Sequence, residues 1–102
     1  MTRYAHKTDE NHTAVRDGLR AMGWEVLDLS GVGGGVPDLC CKVGAGRSLF
    51  FEVKRPDIKK KDQALTAEQE VWWAFNWVST RIVQSVEEAH REATEARKGI
   101  SA

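Results

Sequence analysis

Apolar and polar positions recur along this chain at two periods, and the switches between them mark out seven elements. Between His12 and Met22 the residues Val15, Leu19 and Met22 fall at i, i+4 and i+7, flanked by Ala14, Gly18 and Ala21. That is the stripe of an amphipathic helix. Asp9 or Asn11 is placed to cap its start and Gly23 to end it at positive φ. From Trp24 to Leu29 the period drops to two, with Trp24, Val26 and Asp28 set against Glu25, Leu27 and Leu29, which predicts a strand. Residues 38–43 and 48–54 predict two more strands around the turn Gly44-Ala45-Gly46. The second of these holds Leu49, Phe50, Phe51 and Val53, a nearly continuous apolar run that suits a central strand covered on both faces.

Thr66 and Gln69 form a capping-box signature that opens a second helix. In it Val71, Ala74, Phe75 and Val78 make one stripe, and Trp73 and Trp77 a second beside it. So wide an apolar arc predicts a helix that covers the sheet on one side and meets another helix, or a second subunit, on the other. Residues 80–84 predict a fourth strand. Ser85 and Glu88 repeat the capping box ahead of a last helix from Val86 to about Lys98, with Val86, Ala89 and Ala93 as its weak apolar face. The order helix-strand-strand-strand-helix-strand-helix predicts a single α/β domain over residues 1–102, a mixed central sheet flanked by helices. Residues 1–10 are expected to be a flexible start and 97–102 a frayed end.

Two loops stand out. Residues 30–35 hold four glycines in six positions, a density that excludes regular structure. The loop lacks the Gly-Lys-Ser or Gly-Lys-Thr ending of a nucleotide-binding loop and leads into Val36-Pro37 rather than a helix. Its expected role is turn-making beside a site, or close approach of backbone to a substrate phosphate. Residues 54–62 carry five basic and two acidic groups and predict a polar loop.

Composition narrows the picture modestly. The 15 basic and 15 acidic residues cancel, so net charge singles out neither nucleic acid nor any other partner. No apolar run approaches the roughly 18 residues of a membrane span, and the opening residues lack the apolar core of a secretory signal. Cys40 and Cys41 are neighbours in a strand and face opposite sides, which predicts two free thiols in a reducing compartment. A cytoplasmic protein is expected.

The chemistry concentrates at Asp38, Glu52 and Lys54. Glu52 and Lys54 share a strand face, and pairing of the two strands would bring Asp38 to Glu52. Two carboxylates, joined by the backbone carbonyl of Val53, suit a hard divalent ion such as Mg²⁺ or Mn²⁺. A Glu-x-Lys pair on a strand is commonly no more than a surface ion pair of little energy. The setting argues for more, because these groups end the most apolar strand of the chain, where unpartnered polar groups are costly.

Gly33-Gly34-Gly35-Val36-Pro37-Asp38-Leu39, followed by Glu52-Val53-Lys54 and Leu65-Thr66-x-x-Gln69, resembles the VRR-NUC family of the PD-(D/E)XK nuclease superfamily. Small stand-alone members of that family occur in phages and bacteria. The resemblance spans about residues 9–90 and implies a restriction-endonuclease-like fold. It implies Asp38 and Glu52 as metal ligands, Lys54 as catalytic lysine and Gln69 as a residue lining the site. It also implies Mg²⁺- or Mn²⁺-dependent hydrolysis of DNA, with branched or flapped substrates favoured. The chain departs from the family at Ala14, where relatives carry a glutamate; Glu10, or else Asp17, is the candidate to replace it as a ligand. Arg55, Lys59, Lys60 and Lys61 form the basic patch expected to meet the DNA backbone, and Arg3, His6, Lys7, His12 and Arg16 could extend it. His6, His12 and His90 are too scattered to argue for a site and are expected at the surface. Small size and the helix carrying Trp72, Trp73 and Trp77 point to a homodimer. Two other readings fit the same residues: a non-catalytic DNA-binding or phage accessory module, and a structural subunit that binds a larger protein through the tryptophan helix. The latter predicts no affinity for DNA.

Overall fold

The computed structural model describes residues 3–57 and 65–101, with side chains at 10–57 and 65–99. Helix α1 spans Arg3–Ala21, followed by strands β1 (Glu25–Asp28), β2 (Leu39–Gly44) and β3 (Arg47–Val53). Helix α2 spans Ala67–Asn76 and passes through a short 3₁₀ turn, Trp77–Ser79, into β4 (Thr80–Val83); α3 (Val86–Ser101) follows. The element order is the one the periodicity predicts. The first helix starts at Arg3 rather than near His12, because residues 3–11 contain neither Gly nor Pro to stop a helix and need no apolar stripe to continue one. Asp9 and Asn11 therefore lie inside α1 and do not cap it.

The sheet runs β1-β2-β3-β4. The first three strands form an antiparallel meander, and β4 joins β3 in parallel after the α2 crossover, so the sheet is mixed. The β2–β3 turn places Gly44, Ala45 and Gly46 all at positive φ, which explains its glycines.

One face carries the core. Val15 and Leu19 of α1 and Ala89 and Ala93 of α3 close over Val26, Leu39, Cys41, Val43, Leu49, Phe51 and Val83. Small residues let the two helices approach; a Cβ on Gly18 would lie 2.5 Å from the Val86 side chain. Cys40 and Cys41 are both buried free thiols on opposite faces, and burial raises the Cys41 thiol to about 11, so it stays protonated.

The other face is covered by α2, but not by the stripe the sequence nominates. Val71, Phe75 and Val78 are exposed, Phe75 by 84%, and no residue of α2 is fully buried. The inward positions are Gln69, Trp72, Trp73 and Asn76, an i, i+3, i+4, i+7 set that mixes amides with indoles. Trp72 meets Phe50 edge-on at 5.1 Å, and its Nε1 donates to Thr80 Oγ1 at 3.0 Å. Thr80 Oγ1 donates to the Asn76 carbonyl at 2.7 Å, and Asn76 Nδ2 donates to the Trp72 carbonyl at 3.0 Å. Because these polar groups find partners, a mixed face can bind the sheet while the purely apolar stripe looks outward. The three tryptophans do not form one outer surface: Trp72 is turned in, Trp73 is half-buried and only Trp77 is exposed.

Candidate functional site

The site forms where the glycine loop, the ends of β2 and β3 and the first turn of α2 converge. Gly33, Gly34 and Gly35 all have positive φ. The loop is closed at its base by Leu29 N–H donating to the Asp38 carbonyl at 2.7 Å. Its apex presses on a helix: a Cβ on Gly35 would run into the Glu68 carbonyl oxygen and stand 2.9 Å from the Gln69 nitrogen. The close approach seen at this loop is to the backbone of α2, whereas the sequence suggested turn-making or approach to a substrate phosphate.

Pro37 is fully buried and fixes the entry to β2. Asp38 follows, half-buried, its Oδ2 accepting from the Val53 N–H at 2.8 Å. Glu52 lies on the α2 side of β3 at only 7% exposure. Its Oε2 accepts from Gln69 Nε2 at 3.2 Å and stands 3.8 Å from Lys54 Nζ. The capping box on Thr66 is complete, with Gln69 Oε1 accepting from Thr66 N–H at 3.0 Å and Thr66 Oγ1 accepting from Gln69 N–H at 3.1 Å. One amide therefore both caps α2 and holds Glu52.

Burial pushes the Glu52 carboxyl up to about 7, and the neighbouring Asp38 charge adds to this while Lys54 opposes it. Asp38 is raised too, chiefly by burial, against the pull of the Val53 N–H. Two desolvated carboxyls with one ammonium beside them are short of positive charge, a demand that a cation or a shared proton can meet.

Lys54 is held from behind: Asn11 Nδ2 donates to its carbonyl at 2.7 Å and to the Gln84 carbonyl at 3.1 Å. Glu10 is exposed on α1, and Asp17 is exposed and engaged by Arg16 at 2.9 Å. Among the described residues no group of three or more His, Cys, Asp or Glu is arranged to hold one ion. Arg55 spends its guanidinium on Asp57, at 2.7 and 3.1 Å. Lys59, Lys60 and Lys61 lie outside the described residues.

The sequence reading passed over a second charged cluster on the opposite, α1 side of the sheet. His12 is 6% exposed rather than at the surface, and its Nε2 lies 3.1 Å from Asp28 Oδ2. Arg16 Nη1 donates to the same oxygen at 2.8 Å, while Ser30 N–H and Oγ donate to Oδ1 at 3.0 and 2.7 Å. These donors outweigh desolvation and hold the Asp28 carboxyl well below the ordinary range. The signal was present: Asp28 shares the inward parity of Val26, His12 and Arg16 are one turn apart, and Asp28-x-Ser30 is an Asx-turn pattern. His90 is likewise engaged, its Nδ1 accepting from Trp24 Nε1 at 2.9 Å; the side chain of His6 lies outside the described ones.

Asp28→Ala is expected to cost about 2 kcal/mol at pH 7, typical of hydrogen bonds to a charged group. Because the folded pKa of Asp28 is depressed, this stability is present above its ordinary pKa and is lost as pH falls below it. Thermal melts at pH 7 and pH 3 check this: the gap between wild type and variant should narrow at pH 3.

Comparison with protein-family models, curated proteins and solved structures finds no match for this chain. Among the described residues no helix is long and apolar enough to cross a membrane.

Proposed function

We propose that this protein is a metal-dependent DNA endonuclease with a restriction-endonuclease-like core, acting in the cytoplasm of a bacterium or phage-infected cell. The observation that carries the reading is the pairing of half-buried Asp38 with buried Glu52, both raised in pKa and flanked by Lys54 and Gln69. A carboxylate pair of this kind destabilises the fold unless a cation or a proton neutralises it, and such pairs cluster at functional sites.

The donor set fits Mg²⁺ or Mn²⁺, hard ions that take carboxylate and carbonyl oxygens and complete their shells with water. Asp38 and Glu52 would hold the ion. The Val53 carbonyl is the third candidate, since the N–H and C=O of an extended residue point to the same neighbour and the Val53 N–H already faces Asp38. When bound, the ion would supply a lowered pKa for an attacking water and polarise the scissile phosphate. Gln69 fixes the Glu52 carboxylate from the helix side, and the Val53 N–H fixes Asp38. Lys54 directs an ammonium toward the same space, where it can orient a water or neutralise charge developing on the phosphate. Attack would be in line, without a covalent enzyme intermediate.

DNA would be drawn in electrostatically, with Arg55, Lys59, Lys60 and Lys61 as candidate phosphate contacts. Among the described residues no helix is rich in Arg, Asn and Gln for base reading, and the sequence has no zinc-finger spacing, which favours selection by DNA structure, at a junction or flap. The metal claim is tested by thermal shift at pH 8: Mg²⁺ or Mn²⁺ should raise the Tm of the wild type and leave Asp38→Ala unmoved. Equal shifts in both proteins would count against the site.

The exposed Val71 and Phe75 of α2, with Trp77 and Val78 of the 3₁₀ turn after it, support a second feature, pairing of two copies through this segment or its docking on a larger protein. Phe75→Ser is expected to lower self-association in sedimentation velocity while changing the unfolding free energy by no more than about 0.5 kcal/mol, the usual range for a surface change.

A further inference from the structure

At the end of the sheet opposite the carboxylate pair, the β2–β3 turn borders a cleft of about 490 Å³. Lys42, Arg47 and Arg97 line it against a single acid, Glu25, leaving two positive charges in excess. Arg97 is the most constrained of them. Its Nε donates to the Val43 carbonyl at 2.9 Å, and its guanidinium lies 4.2 Å over the Trp24 ring. With one edge and one face fixed, its remaining N–H groups are presented in a preset direction at little entropic cost.

Among the described residues neither Arg47 nor Arg97 has a carboxylate within ion-pair distance. Lys42 has only a loose pairing with Glu25 at 3.9 Å, both ends well exposed. A guanidinium held on two sides, with no counter-ion among the described residues and facing a concave space beside two further cations, is the chemistry of an anion site.

Its position gives the anion a source. Lys42 pairs in register with Ser48, and Ser48, Phe50 and Glu52 alternate along β3, so Lys42 shares a sheet face with Glu52. Four residues of strand separate Ser48 from Glu52, about 13 Å at roughly 3.3 Å per residue. Between them the β1 side of this face is open, Leu27 being 47% exposed, while Trp72 covers only the Phe50–Thr80 side. Because the backbone winds about the axis, successive phosphates of one strand lie about 6–7 Å apart although the axial rise is about 3.4 Å, so that separation spans about two nucleotides.

We propose that the Lys42–Arg47–Arg97 cleft is a phosphodiester-binding subsite that seats a nucleic-acid backbone phosphate about two nucleotides from the Asp38–Glu52 pair. The assignment of nucleic acid as the ligand rests on the nuclease reading, whereas the anion site itself rests only on the cleft. The subsite orients the strand along the open sheet face.

The test uses the full chain carrying Glu52→Gln to prevent cleavage, with and without Arg47→Ala or Lys42→Ala. The backbone amides of Gly44, Gly46 and Arg47 and the Trp24 indole are followed by NMR, in one arm with inorganic phosphate and in the other with a 12-base-pair duplex. Both probes should move these signals, the duplex more strongly. Each added substitution should reduce the slope of log K against log salt for the duplex by about 0.9, the value for one phosphate contact. Melting curves confirm that both variants, which alter exposed side chains, remain folded. Signals that move with phosphate but not with the duplex would overturn nucleic acid as the source. Signals that stay fixed with both, or salt slopes that do not change, would overturn the subsite. Wild-type protein that binds DNA through the cleft yet cleaves nothing in any metal would leave the subsite standing and remove the nuclease reading.

Discussion

Glu52→Gln is expected to abolish DNA cleavage and at the same time make the metal-free protein more stable at pH 8. The substitution keeps the shape of the side chain and an oxygen able to accept from Gln69 Nε2, but removes a buried charge beside Asp38. The folded-state pKa of Glu52 is raised from 4.5 to about 7, so the folded protein binds the proton more tightly than the unfolded chain does. Its contribution to stability is therefore greatest below pH 4.5 and is lost as pH rises through about 7. At pH 8 the ionised carboxylate costs on the order of 3 kcal/mol, which the amide does not. Melting curves should show the variant above wild type at pH 8, with the gap closing toward pH 5. Saturating Mg²⁺ should narrow the gap at pH 8 by stabilising only the wild type. Cleavage should fall by more than the roughly 100-fold typical of losing an outer-shell partner. A variant less stable than wild type at pH 8 would mean that Glu52 is a structural ion-pair member of Lys54, and the argument for a strained, functional pair would fail.

Gly35→Ala is expected to be the most damaging single-methyl change in the glycine loop. Its Cβ would meet the Glu68 carbonyl carbon at 2.5 Å as well as its oxygen, and both belong to backbone that cannot rotate aside. The residue also sits at φ +84°, where an L side chain is strained. Overpacking and strain together come to about 3–4 kcal/mol, a large share of a small domain's stability. Gly33→Ala and Gly34→Ala supply the control, because both have positive φ but open space where the Cβ would go, so each should cost only about 1–2 kcal/mol. Urea denaturation of the three variants separates contact from conformation. In whatever Gly35→Ala remains folded, Gln69 is displaced from Glu52 and activity falls beyond the loss in stability. Equal costs at all three positions would show that the loop does not brace α2.

The elements and their order were legible because they rest on local signals: period, capping boxes, and glycines at chain reversals. Thr66 with Gln69 is the plainest case, since both hydrogen bonds of the box are three residues apart and visible in the string. The rotation of α2 about its axis was not legible. Periodicity identifies a face, but which face turns inward depends on Phe50 and Thr80, which reach Trp72 from other elements. The same limit hid His12, whose burial comes from Asp28 sixteen residues away, and the role of Gly35, which is a contact with a helix beginning more than 30 residues later. At the candidate site Asp38 and Glu52 were found because strand parity and hairpin pairing are simple rules. Asn11 behind Lys54 was read as a helix cap, because its partners are 43 and 73 residues distant.

The most direct measurement is cleavage of end-labelled duplex, flap and four-way-junction DNA by purified wild-type and Glu52→Ala protein, each with Mg²⁺, Mn²⁺ or EDTA. The account predicts products from the wild type with either metal, strongest on the branched substrates, and none with EDTA or from the variant. Binding of DNA with no cleavage in either metal, or cleavage that survives both EDTA and Glu52→Ala, would contradict it.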